Sequence, residues 1–236
     1  YNNTQITYTQ GFNVTRDGTV SDLPEPVTIT LPTSTSFDFE TVEGMYVNIK
    51  SGSEDGSLVV TETYNLGRYG EVVLTSDEVQ VQYTETNEPS VEGNHSYLDA
   101  IAHDRIIIED ANTKQNPDSI IFGRNGEPLS ESNTLRGGDS VAEINGVVNY
   151  SFGNYKIQPI DGKGYDFTGE ERPTAENLHA KIGDAEVTVA SANVLNFFTT
   201  FGNSKFETPY GNEQSGRGAD NLEEYNHQLD KLVSMI

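Results

Sequence analysis

The chain has 236 residues, which is room for one large domain or for one domain and part of another. Its 37 Asp and Glu against 14 Lys and Arg give a formal net charge of −23. This balance argues against a broad polyanion-binding surface, because such surfaces use Lys and Arg to release counterions from phosphates. The absence of cysteine excludes disulfides, thiolate zinc sites and cysteine nucleophiles. No run of about 18 apolar residues is present, so we expect no membrane partner.

Residues 1–166 consist of short apolar or alternating runs bounded by Gly, Asn, Asp and Pro, which is typical of strands joined by turns. A short helical turn near Tyr97–His103 is the exception. Many short strands with few helices predict a mainly β barrel or sandwich. The chain opens at Tyr1 in mid-strand without an initiator methionine, so we expect a truncated start. The predicted strands are Gln5–Thr9, Val27–Leu31, Met45–Ile49, Leu58–Tyr64, Glu71–Leu74, Arg105–Glu109, Ser140–Tyr150 and Tyr155–Pro159.

A glycine-rich polar connector is predicted over residues 167–185, and a second, incomplete unit over residues 186–236. Glu186–Ala190 predicts a strand that continues to Asn196. Asp220 predicts the N-cap of a helix, with Glu223 three residues on as the partner of a capping box. Apolar residues recur at spacings of three and four from Leu222 to the end of the chain, which predicts an amphipathic helix.

Asn193 and Asn196 end the predicted strand with amide oxygens, which are possible ligands of a hard cation such as Mg²⁺. Asparagine is also an ordinary strand terminator, and from the residues alone that is the stronger interpretation. Glu109 and Asp110 are candidate ligands of a Ca²⁺ ion. The favoured interpretation is that they form a turn that closes the preceding strand.

Four basic or aromatic residues are candidates for contacting nucleic acid. Lys205 and Arg217 lie in the loop after Asn193, and the alternative for both is ordinary surface charge. Arg68 and Tyr69 lie in the turn-like segment 65–70, where a tyrosine can stack on a base and an arginine can bind a phosphate. The favoured alternative is that Arg68 pairs with Glu62 or Glu71 and that Tyr69 packs on the barrel.

Several separate blocks of the chain, taken together, resemble one family. The sequence Val189–Phe198, the block Arg217–Asn221 and the helix that follows are similar to the start of the endonuclease/exonuclease/phosphatase family, as it occurs in large secreted bacterial nucleases. The upstream sequence is similar to the OB-fold-like module that precedes the catalytic domain in those proteins. The matching upstream blocks are Glu43–Met45, Val60–Glu71, Leu135–Asp139 and Gly146–Tyr155.

The resemblance implies an OB-fold-like β-barrel module followed by the first strand and helix of an α/β, four-layer sandwich nuclease domain. It implies a secreted, extracellular bacterial enzyme that hydrolyses phosphodiester bonds in DNA or RNA with a divalent metal, Mg²⁺ in the first place and Ca²⁺ or Mn²⁺ as alternatives. Asn193 matches the family's first active-site asparagine, beside the metal and the scissile phosphate. The family's metal-binding Glu and its His and Asp catalytic pair are expected downstream of Ile236.

Without those groups we expect this chain to be inactive alone, with the β module as a scaffold or substrate-positioning module. The alternative function is a non-catalytic module that binds nucleic acid or another polymer, or a purely structural domain.

Overall fold

The chain was analysed as a computed structural model, which describes residues 11, 13, 15, 23–54, 56–169, 174–183, 186, 187, 189, 191–194, 196–202 and 204–235. It divides into two compact units, a β unit (Tyr1–Arg172) and a C-terminal unit (Pro173–Ile236). The division falls inside the predicted connector. The predicted strand Gln5–Thr9 lies outside the described residues. No helix among the described residues is long and apolar enough to cross a membrane.

The β unit is built on one eight-stranded sheet that curls into a half-barrel, so the prediction of a mainly β module is confirmed. The sheet order is β1-β2-β7-β8-β5-β4-β3-β6. Most neighbours are antiparallel, and β1 with β2 and β5 with β8 are parallel. The strands are β1 (Val27–Leu31), β2 (Tyr46–Ser51), β3 (Leu58–Glu62), β4 (Glu71–Ser76), β5 (Ile106–Glu109), β6 (Ser140–Val141), β7 (Glu143–Ser151) and β8 (Asn154–Gln158).

Three helices and a 3-10 helix, Phe39–Val42, interrupt the strands of this unit. They are α1 (Leu66–Tyr69), α2 (Tyr83–Thr86) and α3 (Val91–Ala102). The expected helical turn near Tyr97–His103 is the end of α3, which starts earlier because the Ser90 hydroxyl accepts a hydrogen bond from the Gly93 N–H at 3.1 Å.

The hydrophobic core lies on one face of the sheet. In β4, Val72 and Leu74 are fully buried in it, so strand alternation places Glu71 and Val73 on the opposite face. The same alternation in β5 puts Ile106 and Ile108 in the core, with Glu109 on the face that carries Glu71. The second face therefore collects charged residues from neighbouring strands.

The long loop between β5 and β6 contains a buried ion pair, which joins the middle of the loop to its last residue before β6. The Arg124 guanidinium donates to both carboxylate oxygens of Asp139, Nε to Oδ2 at 2.8 Å and Nη2 to Oδ1 at 2.6 Å. Asp139 is 3% exposed, so the two-point contact holds the loop firmly.

The C-terminal unit contains α4 (Ala175–Ile182), a hairpin of β9 (Lys205–Glu207) and β10 (Glu213–Ser215), and α5 (Leu222–Met235). The helix α4 lies in the stretch predicted to be a glycine-rich polar connector. Its N-terminus is capped by the Thr174 hydroxyl, which accepts from the Asn177 N–H at 3.2 Å.

The prediction of a strand over Glu186–Ala190 that continues toward Asn196 is wrong for the residues that the structure describes there. Residues 186, 187, 189, 191–194 and 196 belong to no strand. Val187 is 78% exposed and Val189 is 92% exposed. An alternating sequence satisfies strand propensity, but a strand also needs a partner for its hydrogen bonds and a core for its valines.

The amphipathic helix at the C-terminus is confirmed as α5, with its cap one residue later than predicted. The Asn221 side-chain oxygen accepts from the Glu224 N–H at 3.0 Å, and Glu224 Oε2 accepts from the Asp220 N–H at 2.9 Å. Asn221 therefore fills the N-cap role expected of Asp220, while Glu224 accepts from the N–H of the residue before the cap.

Candidate functional site

A buried cluster of three charged residues lies on the second face of the sheet. Glu71 and Glu109 are directly opposite each other on β4 and β5, and Lys156 is on β8, which pairs with β5. The Lys156 ammonium forms ion pairs with Glu71 and, at 3.5 Å, with Glu109 Oε2. The side chains are 2%, 16% and 8% exposed for Lys156, Glu71 and Glu109. One cation therefore lies between two carboxylates that would otherwise repel each other.

The loop before β4 closes one side of this cluster. The single turn α1 ends at Gly70, whose φ is 66° and whose N–H donates to Leu66 O at 3.0 Å. A Cβ at this position would lie 2.3 Å from Asp110 Oδ2. Glycine is required here both for the left-handed conformation and for the close approach of Asp110. Upstream in the same loop, Asn65 donates to Glu71 Oε2 at 2.9 Å.

Asp110 extends the acidic side of the cluster. Burial raises the pKa of its carboxyl above the usual value, the Asn112 N–H opposes the rise by donating a hydrogen bond, and the charges of Glu109 and Glu71 add to it. Burial is the main cause of this pKa shift, and the smaller contributions of Glu109 and Glu71 reflect the negative charge at this end of β4 and β5. An anionic ligand would meet the same repulsion.

A cavity of about 360 Å³ opens beside the cluster. Glu109 and Lys156 lie at its wall together with the neutral side chains of Asn112 and Asn154. Within the described part of the chain, Glu109 Oε2 accepts no hydrogen bond although it is buried. The ion pair with Lys156 at 3.5 Å compensates its charge, so what Oε2 lacks among the residues described is a donor at hydrogen-bonding distance.

Phe152 lies at the edge of the same cavity, in the two-residue turn between β7 and β8. It is 85% exposed and its φ is 51°, followed by Gly153 at 83°. Positive φ at both positions fits the twist of a tight hairpin, for which Asn or Gly is preferred and a bulky residue is strained. Its ring centroid lies 5.4 Å from the Lys156 ammonium. Neither burial nor local conformation explains a phenylalanine here.

A larger cavity of about 590 Å³ adjoins the first and shares Asn65, Glu71 and Asn154 with it. Its far side is formed by Leu98 and Ile101 of α3. The two cavities together form a cleft along the second face of the sheet.

Of the two nucleic-acid contacts predicted in the β unit, Tyr69 lies at this cleft and Arg68 precedes it in the chain. The Arg68 guanidinium carbon is 5.2 Å from the centroid of the Tyr69 ring, and Tyr69 lines the smaller cavity. With its amide oriented to match, Gln115 Oε1 accepts from Arg68 Nε and Nη2 at 3.0 Å each. Glu62 pairs with Arg105 at 2.7 Å and Glu71 pairs with Lys156, so these carboxylates are engaged with other cations.

The other predicted site residues lie in the C-terminal unit. Asn193, the catalytic and metal candidate, is exposed in a segment without strand structure. Lys205 is on β9, where its ammonium pairs with Glu213 Oε2 of β10 at 3.1 Å across the hairpin. Arg217 is exposed in the loop between β10 and α5.

Among the described residues, no group of three or more His, Asp or Glu side chains is arranged to hold a metal ion. Asn193 offers one amide oxygen, whereas Mg²⁺ takes six oxygen ligands, some of them waters. The donors that the described residues bring together do not by themselves form the expected metal site.

Sequence reasoning missed the cluster because its members lie far apart in the chain. Two signals were available: a lysine between apolar neighbours, in Tyr155-Lys156-Ile157, and a phenylalanine in the turn Phe152-Gly153 where asparagine is common. The parallel pairing of β5 with β8, which brings Lys156 to Glu109, has no local signal.

These features define a mainly β domain with a charged, partly enclosed cleft on one face of its sheet. The chain belongs to the family described as Domain of unknown function (DUF8508), whose model matches residues 7–165. No curated protein and no solved structure matches the chain.

Proposed function

We propose that the chain is the front part of a secreted, metal-dependent bacterial nuclease that hydrolyses phosphodiester bonds in extracellular DNA or RNA. In this proposal the β unit is an enlarged OB-fold-like scaffold, and the C-terminal unit begins the catalytic domain. The curled sheet supports the proposal that the β unit is an OB-fold-like scaffold. The metal, Mg²⁺ in the first place, would be held mainly by carboxylates that follow this sequence in the resemblance.

The observation that carries the proposal is the packing within the C-terminal unit. The segment just after Asn193 and the helix after the Arg217–Asn221 block are the two halves of the nuclease-like sequence. The Phe197 ring stacks on Tyr225 of α5 with centroids 5.1 Å apart, and Phe201 meets the same tyrosine edge-on at 6.4 Å. Aromatic contacts of this kind favour a defined arrangement of the two halves.

The proposed role of Asn193 is to orient the scissile phosphate beside the metal. An amide nitrogen can donate to a phosphate oxygen while the amide oxygen faces a cation or its water. The metal, when bound, would polarise the phosphoryl oxygen toward attack by water. Lys205 and Arg217 are proposed to contact the nucleic-acid backbone, with Lys205 released from Glu213 on binding.

A second candidate is a non-catalytic binding module, and the cleft beside Glu109 and Lys156 favours it for the β unit. The two functions are compatible, since a binding module can hold a catalytic domain near its substrate.

The test uses a longer reading frame that contains this chain, with plasmid DNA and total RNA as substrates in Mg²⁺ or EDTA. We expect metal-dependent hydrolysis and a loss of about 100-fold or more in Asn193→Ala. Asn226→Ala is the matched control, since Asn226 is also an exposed asparagine of the C-terminal unit and has no proposed role, and it should retain activity.

The chain 1–236 alone should cleave neither substrate. Full activity of the Asn193→Ala variant, or no hydrolysis with Mg²⁺, Ca²⁺ or Mn²⁺, would overturn the proposal.

A further inference from the structure

We propose that the cavity beside Glu109, Lys156 and Phe152 binds a neutral sugar ring, and that the β unit thereby attaches to a polysaccharide. This inference goes beyond the proposed nuclease function and does not depend on it. It rests on the hydrogen-bonding groups of the cavity wall, on Phe152 and on charge.

A hydrogen-bond acceptor, Glu109, and a donor, Lys156, lie side by side at the wall of the smaller cavity. Glu109 Oε2 accepts no hydrogen bond among the described residues, although the Lys156 ammonium forms an ion pair with it at the long distance of 3.5 Å. A hydroxyl group donates one hydrogen bond and accepts others. Because Glu109 Oε2 is buried and the Lys156 side chain is 2% exposed, a sugar hydroxyl must insert into this long contact, where it can donate to Glu109 and accept from Lys156.

Phe152 lies exposed at the edge of the same cavity. Its side chain is 85% exposed although the backbone conformation at φ 51° disfavours a bulky residue. A ring held in this way at the edge of a cavity offers a flat face to a ligand. The C–H groups of a pyranose ring are apolar and weakly positive, so they pack on the negative face of an aromatic ring.

The negative charge around the cavity favours a neutral sugar over a nucleic acid. Glu71 and Glu109 both pair with one lysine, the charge of Asp110 interacts with those of the two glutamates, and the chain as a whole carries a formal charge of −23. Phosphates would be repelled, whereas a neutral polyhydroxyl ligand is indifferent to the net charge. Asn112 and Asn154 supply further neutral hydrogen-bonding groups at the wall.

Size agrees with this assignment. The cavity of about 360 Å³ is at the small end of ligand sites, which span about 300–1,000 Å³. The adjoining cavity of about 590 Å³ gives room for neighbouring units of an oligosaccharide.

The test is calorimetric titration of the full chain with tetrasaccharides of glucose, mannose, galactose and N-acetylglucosamine, and with a single-stranded DNA decamer as the competing ligand. The central variant is Phe152→Asn, which removes the ring and keeps a residue suited to positive φ. The matched control is Tyr64→Ala, because Tyr64 is also 85% exposed and does not line the smaller cavity.

We expect at least one tetrasaccharide to bind, Phe152→Asn to weaken it by about tenfold or more, and Tyr64→Ala to leave it unchanged. Phe152→Asn should melt no lower than the parent chain, which separates lost binding from lost folding. Glu109→Gln should also weaken binding, because a neutral amide oxygen is a poorer acceptor than a carboxylate.

Three results would overturn the inference: no binding of any tetrasaccharide, equal binding by Phe152→Asn and Tyr64→Ala, or binding of the DNA decamer alone. The last result would assign the cavity to nucleic acid. None of these results bears on hydrolysis by the longer reading frame, so the two proposals fail separately.

Discussion

Glu71 and Glu109 are directly opposite neighbours on adjacent antiparallel strands, an arrangement that by itself opposes folding because like charges face each other. Lys156, on the neighbouring strand β8, compensates this repulsion because its ammonium pairs with both carboxylates. The lysine is therefore more important for stability than its single charge suggests, and its removal is the first prediction.

Lys156→Met should destabilise the β unit by about 3–5 kcal/mol, because removing one partner of a buried ion pair leaves the other charges uncompensated. Urea denaturation followed by circular dichroism measures the change as a lower midpoint. The control is Lys205→Met, whose pair with Glu213 is 64% and 63% exposed and should matter by about 0.5 kcal/mol or less.

Replacing Glu71 and Glu109 by Gln in the Lys156→Met background should recover most of the lost stability, since no buried charge then remains in this three-residue cluster. Equal losses for Lys156→Met and Lys205→Met would contradict the account of the cluster.

Most strands of the β unit could be predicted because each carries its signal within a few residues. The runs predicted as strands at Val27–Leu31 and Leu58–Tyr64 alternate or are β-branched, and the structure places β1 at the first and β3, ending two residues earlier at Glu62, at the second. What could not be predicted is the order of strands. The contact of Lys156 with Glu109 depends on a parallel pairing between strands far apart in sequence, which only the whole packed sheet determines.

The C-terminal unit shows the opposite case, in which a local signal misled. Glu186–Ala190 has the alternation of a strand, but Val187 and Val189 are exposed and the described residues around them form no ladder. The helix α5 was predictable because its hydrogen bonds lie within the segment. A strand depends on a partner that sequence alone does not identify.

Gly70→Ala is the second prediction and concerns the loop that closes the cluster. The substitution should destabilise the β unit by about 1–3 kcal/mol, because alanine at φ 66° is strained and its Cβ would lie 2.3 Å from Asp110 Oδ2. Gly67→Ala is the matched control in the same turn. A Cβ at Gly67 meets nothing within 4 Å, so that variant should be neutral or slightly more stable.

A double variant separates the two causes of the stability loss in Gly70→Ala, which are backbone strain and the clash with Asp110. In an Asp110→Ala background the clash with the carboxylate is gone and only the backbone strain remains, so Gly70→Ala should cost less there than in the parent chain. Thermal or urea unfolding of the four proteins gives this difference. An identical cost in both backgrounds would show that the contact with Asp110 plays no part.

The third prediction follows from the raised pKa of Asp110. Burial is the main cause, with the charges of Glu109 and Glu71 adding to it. A carboxyl whose pKa is higher in the folded state than in the unfolded state favours folding when protonated, and this contribution is lost as pH rises through the folded pKa. Ionised Asp110 therefore opposes folding at neutral pH.

Asp110→Asn should stabilise the chain at neutral pH by about 0.5 kcal/mol, a modest value because the group is partly exposed. The amide oxygen can still accept from the Asn112 N–H, which the carboxylate does at 2.9 Å. Urea midpoints measured from about pH 4 to about pH 7 should show a gain that is near zero at the acid end and grows with pH. Asp118→Asn is the control: that carboxylate is 93% exposed and paired with Lys114, so its loss should give no gain. A gain for Asp110→Asn that is constant with pH would have to come from packing, and would refute the electrostatic origin.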